Sequence, residues 1–267
     1  MLTIGAPLAQ AASAPESIEI TQGETRLRAV LFRPDGQGPF AAVVALHSCS
    51  GLAGTSGPIQ SRYRDWGQRL AAAGFAVLFL DSYGSRNLGN LCRTRTPGVR
   101  NDRELVADAN AARRWLQSQS WVMAERISLL GWSTGGVAAL WTVRRQARVD
   151  DQAPDFRSAV ALYPGCRRLN TAAWAARVPT LILIGAADDS TSAAVCRQMV
   201  AGARGRSAIA AIQVYPGAYH DFDHPNRALQ VRTGQAFSLD GSGRIHTGTN
   251  PAARADALKR VPEWFAR

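Results

Sequence analysis

The chain has 267 residues, 46% of them hydrophobic, which allows one large core and excludes a disordered chain. The formal net charge is +11, yet Lys259 is the only lysine, the arginines are scattered, and no nucleic-acid module is visible, so nucleic acid is not the expected partner. No apolar run is long enough to span a bilayer, so membrane insertion is not expected either. Residues 1–14 are small and apolar. Ala9-Gln10-Ala11 and Ala12-Ser13-Ala14 resemble leader cleavage sites, without a basic stretch before them. We read 1–16 as a leader remnant or a disordered tail, and 17–267 as one domain.

Segments 17–21 and 26–32 alternate around Gln22-Gly23-Glu24, which predicts a hairpin. Residues 41–46 form a continuous apolar run, hence a buried strand. A helix over 60–73 carries Tyr63, Trp66 and Leu70 and stops at Gly74, and a second buried strand follows at 75–80. After the polar, arginine-rich loop 82–100, a helix over 102–116 has Leu105, Ala109, Ala112 and Leu116 on one face. Strands are expected at 126–130, 158–163, 180–184 and 209–215, with helices at 137–145 and 193–201 and a short one holding Trp174. Residues 225–251 read as a long Gly/Thr/Asn-rich connection, and 252–265 as a closing helix. Buried strands alternating with helices imply a mainly parallel central sheet of about eight strands with helices on both faces, an α/β architecture. Ligands in such sheets sit beyond the carboxyl ends of the strands.

Those ends carry the chemistry. After the strand at 126–130 comes Gly131-Trp132-Ser133-Thr134-Gly135, a serine flanked two places away on each side by glycine. This spacing fits a nucleophile elbow, where a sharp, strained turn exposes one hydroxyl and side chains at the flanks would collide. After the strand at 180–184 comes Gly185-Ala186-Ala187-Asp188-Asp189, and after that at 209–215 comes Pro216-Gly217-Ala218-Tyr219-His220. Serine needs a base to take its proton, and the base needs a carboxylate to fix its tautomer. We therefore expect Ser133, His220 and Asp188 as nucleophile, base and acid, with Asp189 as the alternative acid or a helix cap. His224 and His246 read as loop and tail residues, and Asp221 and Asp223 as surface or structural. The oxyanion donors are expected to be the backbone N–H of Thr134 and of Cys49, with Ser48 second, while His47 reads as a structural loop histidine. Trp132 flanks the serine and is a candidate for the substrate pocket.

The motifs Gly131-Trp132-Ser133-Thr134-Gly135-Gly136, Gly185-x-x-Asp188 and Tyr215-x-Gly217-x-x-His220-x-Phe222 resemble the dienelactone hydrolase family of α/β-hydrolases. The resemblance implies an α/β-hydrolase fold, no cofactor, and cleavage of small esters or lactones. The founding members use a cysteine nucleophile assisted by a glutamate. Ser133 and Ser48 stand at those places, so the chain resembles the branch that uses serine. Tyr83 matches the family's tyrosine after the fourth strand, and Arg86 falls one residue past the arginine that holds the substrate carboxylate there. The competing readings are a peptidase or acyltransferase on the same triad, and a non-catalytic binder on the same scaffold.

Four cysteines are an even number and fit an oxidising, periplasmic or secreted location. Strands three and four should be neighbours, as should six and seven, which pairs Cys49 with Cys92 and Cys166 with Cys196. No cysteine sits on a nucleophile turn and no Cys/His cluster has metal-ligand spacing, so no metal is expected. Arg86, Arg93, Arg95 and Arg100 lie on the loop after strand four, where they read as a solvated basic loop or as selectors of an anionic substrate.

Overall fold

The computed structural model describes residues 14–54, 57–96, 98–145 and 153–267; of the stretch 1–16 read as leader or tail, only residues 14–16 are among them, and Glu16 already belongs to the first strand. Eight strands form one sheet in the order β1-β2-β4-β3-β5-β6-β7-β8. The hairpin β1 (Glu16–Gln22) and β2 (Thr25–Phe32) is antiparallel, and β2 joins β4 (Phe75–Leu80) antiparallel. All later pairs, through β3 (Phe40–Leu46), β5 (Val122–Trp132), β6 (Ala159–Leu162), β7 (Thr180–Gly185) and β8 (Ala210–Tyr215), are parallel. β4, β6 and β7 are buried throughout, which is why they read as unbroken apolar runs rather than alternating ones. β1, at the edge, keeps its alternation.

Helices α1 (Ser61–Ala72), α2 (Glu104–Gln117), α3 (Thr134–Thr142) and α5 (Ala193–Gly202) make the crossovers β3→β4, β4→β5, β5→β6 and β7→β8, and α6 (Pro251–Ala266) follows the sheet. α4 (Arg167–Thr171) is a five-residue helix and does not reach Trp174, contrary to expectation. That side chain is instead anchored by its Nε1–H donating to Leu140 O at 2.9 Å. The sequence assigns no element to the Gly/Thr/Asn-rich connection 225–251. It contains a small antiparallel pair, β9 (Gln230–Arg232) and β10 (Ile245–Thr247), each three residues long and too short for a period to show. Among the described residues no helix is long and apolar enough to cross a membrane.

β4 lies on one side of β3 and β5 on the other, so the connections reverse direction there. That reversal opens a crevice at the carboxyl ends of β3 and β5. The register sets what meets in it. Leu46 pairs with Gly131, which brings the turn after β3 beside Ser133, and Gly185 pairs with Tyr215, which brings the turns after β7 and β8 side by side.

Candidate active site

Ser133 has φ 51° and ψ −111°, a strained conformation for a residue with a side chain. A β-carbon on Gly131 would lie 2.2 Å from Gly135 O, and one on Gly135 would lie 2.2 Å from Leu46 O. Both glycines are therefore fixed by close backbone approach. The turn is secured by the Ser133 amide donating to Leu162 O at 2.9 Å. Gly185 plays a matching part, since a β-carbon there would stand 2.1 Å from Ala218 O. It lets the turn after β7 press against the turn after β8, where Ala187 N–H donates to Ala218 O at 3.1 Å.

This contact brings three distant side chains together. Asp188 Oδ2 lies 2.8 Å from His220 Nδ1, and His220 Nε2 lies 3.1 Å from Ser133 Oγ. Asp188 Oδ1 accepts from the amides of Ser190 and Thr191, both at 2.9 Å, and its Oδ2 accepts from Thr191 Oγ1 at 2.9 Å. These bonds orient the carboxylate. Because a carboxylate only accepts, Nδ1 carries the imidazole proton and Nε2 presents a lone pair to the serine. Burial pulls the His220 pKa down, but the Asp188 charge and hydrogen bond outweigh it, and the net shift is upward from the ordinary imidazole value. Asp189 points elsewhere, to His246 Nδ1 at 2.7 Å.

The turn after β3 faces Ser133. Its Ser48 amide is engaged, donating to the Tyr63 hydroxyl at 2.8 Å, and Cys49 lines the cavity. Thr134 is the first residue of α3, so by position its amide lacks an intrahelical acceptor. His47 is buried, bonds through Nδ1 to Ser48 O at 2.8 Å and packs on the Tyr83 ring; burial lowers its pKa and keeps it neutral. The disulfides are Cys49–Cys92 and Cys166–Cys196. Cys92 O accepts from Ala236 N at 2.8 Å, so the first bridge ties the turn after β3 to the segment between β9 and β10.

Beneath the serine lies a buried polar cluster that the sequence reading missed. The guanidinium of Arg62, on α1, pairs with Asp221, donates to the Tyr163 hydroxyl at 2.8 Å and reaches Ser48 Oγ at 3.3 Å. Asp221 also pairs with Arg227. Burial opposes ionisation of Asp221, but Arg62 and then His220 and Arg227 hold its carboxyl well below the usual range. Asp223 accepts from Trp66 Nε1 and Trp132 Nε1 at 2.7 Å and from Tyr163 Oη at 2.6 Å. Both acids are buried, so neither is a surface residue.

Two expected pocket residues are elsewhere. Trp132 is fully buried, with its indole N–H on Asp223, so it packs the core and does not line the cavity. Arg86 donates to both oxygens of the buried Asp108 carboxylate, at 2.8 and 2.7 Å, and likewise does not line it. A buried acid on the apolar face of α2 captures that guanidinium before a substrate can. Tyr83, Arg95 and Arg100 do line the cavity, whose volume is about 660 Å³, and Arg93 lies against Gly234. Burial raises the Tyr83 phenol pKa, so it stays protonated at neutral pH.

A mostly parallel eight-stranded sheet, with a serine on the turn after β5 and a histidine beyond β8, defines an α/β-hydrolase. The dienelactone hydrolase family model matches residues 27–267, and the chain belongs to that family. A Bradyrhizobium protein named "Probable 2-oxo-3-(5-oxofuran-2-ylidene)propanoate lactonase" is 31% identical over 131 residues, 48% of this chain. The match spans half (50%) of that relative's length. Among solved structures, a Klebsiella pneumoniae protein assigned as a dienelactone hydrolase superposes with TM-score 0.70 at 21% identity, covering 96% of this chain and 100% of its own. Thermogutta terrifontis esterase 2 gives 0.66 at 18% identity over 98% and 97%. Pyrococcus horikoshii acylaminoacyl peptidase gives 0.68 at 15% over 97% of this chain but only 42% of its own. At such identities the three structures share the fold.

Proposed function

We propose that this protein is a serine hydrolase that cleaves carboxylic esters or lactones through an acyl-enzyme on Ser133. The observation that carries the proposal is the run of hydrogen-bond distances from Asp188 to His220 to Ser133, 2.8 and 3.1 Å, at the carboxyl ends of three strands. Family membership and the named lactonase relative favour ester and lactone substrates. In this reading His220 Nε2 takes the Ser133 proton as Oγ attacks the carbonyl carbon. The amides of Thr134 and Cys49 receive the oxyanion of the tetrahedral intermediate. Asp188 stabilises the imidazolium, which then protonates the departing alkoxide; in a lactone that alcohol stays tethered to the acyl chain. Water, deprotonated by the same histidine, releases the acid. The two disulfides support an oxidising compartment, periplasmic or extracellular. The test is hydrolysis of p-nitrophenyl acetate by the wild type and by Ser133→Ala and His220→Ala. The proposal expects turnover that falls by about 10⁴-fold or more in each variant, and turnover retained in both overturns it.

A further inference from the structure

The segment 225–250 is not a passive connection to α6. Gly248 N–H donates to His220 O at 3.2 Å, Leu239 N–H to Asp189 O at 2.8 Å, and Ala236 N–H to Cys92 O at 2.8 Å. The segment is thus fastened to the turns holding the candidate base and acid, and to the disulfide behind the candidate oxyanion turn. Its tip is ordered from within. Asp240 Oδ1 accepts from Ser238 Oγ and Ser242 Oγ, both at 2.8 Å, and from Ser242 N at 3.0 Å. Five large hydrophobic side chains are exposed among the described residues, and four of them, Leu229, Val231, Phe237 and Leu239, are on this segment. Two of those four, Phe237 (61% exposed) and Leu239 (46%), line the cavity that contains Ser133. Val137 and Trp141 of α3, together with Val195 of α5, add further apolar wall.

A hydrogen-bonded loop that displays Phe and Leu instead of folding them into the core leaves apolar surface available to an occupant. The volume argues for what that occupant is. A cavity of about 660 Å³ lies in the range that suits drug-sized ligands, far beyond a compact five-membered lactone. We propose that Phe237 and Leu239 form a binding site for the apolar acyl chain of the substrate, so that the preferred esters carry a medium-length alkyl acyl group. This inference rests on the esterase reading above and adds to it the class of ester.

The experiment is kcat/KM for p-nitrophenyl acetate and p-nitrophenyl hexanoate. A methylene fully removed from water is worth about fourfold in binding, so the four extra ones are worth about 250-fold at most and about 15-fold against a half-open wall. The wild type is expected to prefer hexanoate by about tenfold or more. Phe237→Ser/Leu239→Ser should cut that preference by about tenfold, and Leu229→Ser, outside the cavity, should leave it unchanged. Octanamide binding to Ser133→Ala, followed by titration calorimetry, makes the test independent of turnover. It should be saturable, and lost on adding Phe237→Ser/Leu239→Ser. Equal kcat/KM for the two esters, a preference untouched by the double variant, or a double variant that only turns a dimer into a monomer overturns the inference while the esterase reading stands. Absent turnover with octanamide bound as described sinks the esterase reading and leaves the apolar site.

Discussion

Arg62→Met tests whether the buried polar cluster holds the two halves of the site together. The guanidinium joins the turn after β3, through Ser48, to the turn after β8, through Asp221. Breaking a buried ion pair by removing one partner costs about 3–5 kcal/mol. Here Asp221 keeps Arg227 on its other oxygen, so the cost should be smaller, about 2–3 kcal/mol. For a chain of this size that corresponds to a fall in Tm of roughly 5–10 °C. The pH dependence has a definite sign. Asp221 is held below its unfolded value, so its contribution is present above the ordinary carboxylate range and is lost as pH falls through and below it. The Tm gap between wild type and Arg62→Met should therefore narrow as pH is lowered from about 5 to 3. Displacement of the His220 turn should lower kcat by roughly tenfold to a hundredfold with a smaller change in KM, and Arg62→Lys should recover part of it. Thermal unfolding read by circular dichroism, beside steady-state kinetics, decides the matter. A Tm within about 2 °C of wild type at pH 7 refutes the reasoning.

Asp188→Asn should reduce kcat by about 10⁴-fold, whereas Asp189→Asn, whose partner is His246, should cost less than about tenfold; equal losses would misplace the acid. Because the base must be neutral and Asp188 raises the His220 pKa, kcat/KM should climb with pH through a midpoint above the ordinary imidazole value, and a midpoint below it contradicts that geometry. The disulfides close loops of 43 and 30 residues, worth about 4 and 3.6 kcal/mol by loop entropy. Paired Cys→Ser variants should lower Tm similarly. Activity should fall further when Cys49–Cys92 is removed, because both of its residues line the cavity that holds Ser133.

What was legible in the sequence followed from burial and from backbone necessity. Strands enclosed on both faces, such as β4 and β7, announce themselves as apolar runs. Gly131, Gly135 and Gly185 are placed by backbone contacts that no other residue tolerates, so the turns bearing Ser133 and Asp188 could be found. The pocket lining was harder, because adjacency in sequence says little about which way a side chain points. Trp132 neighbours Ser133, yet it turns into the core to reach Asp223. Arg86 is intercepted by Asp108, whose carboxylate sits among Leu105, Ala109 and Ala112 on the apolar stripe of α2. The same signal was present in α1, where Arg62 shares a helical face with Trp66 and Leu70. A charge on an apolar stripe requires a buried partner, and that rule locates both ion pairs without naming the partners. The hairpin β9–β10 escaped because three-residue strands have no measurable period.

The central claim is that Ser133 attacks the substrate covalently. Labelling with a fluorophosphonate probe, followed by peptide mass mapping, tests it without knowledge of the natural ester. One adduct per chain is expected, on the peptide carrying Ser133, and none in Ser133→Ala. An unlabelled wild type, or an adduct confined to another residue, would contradict it.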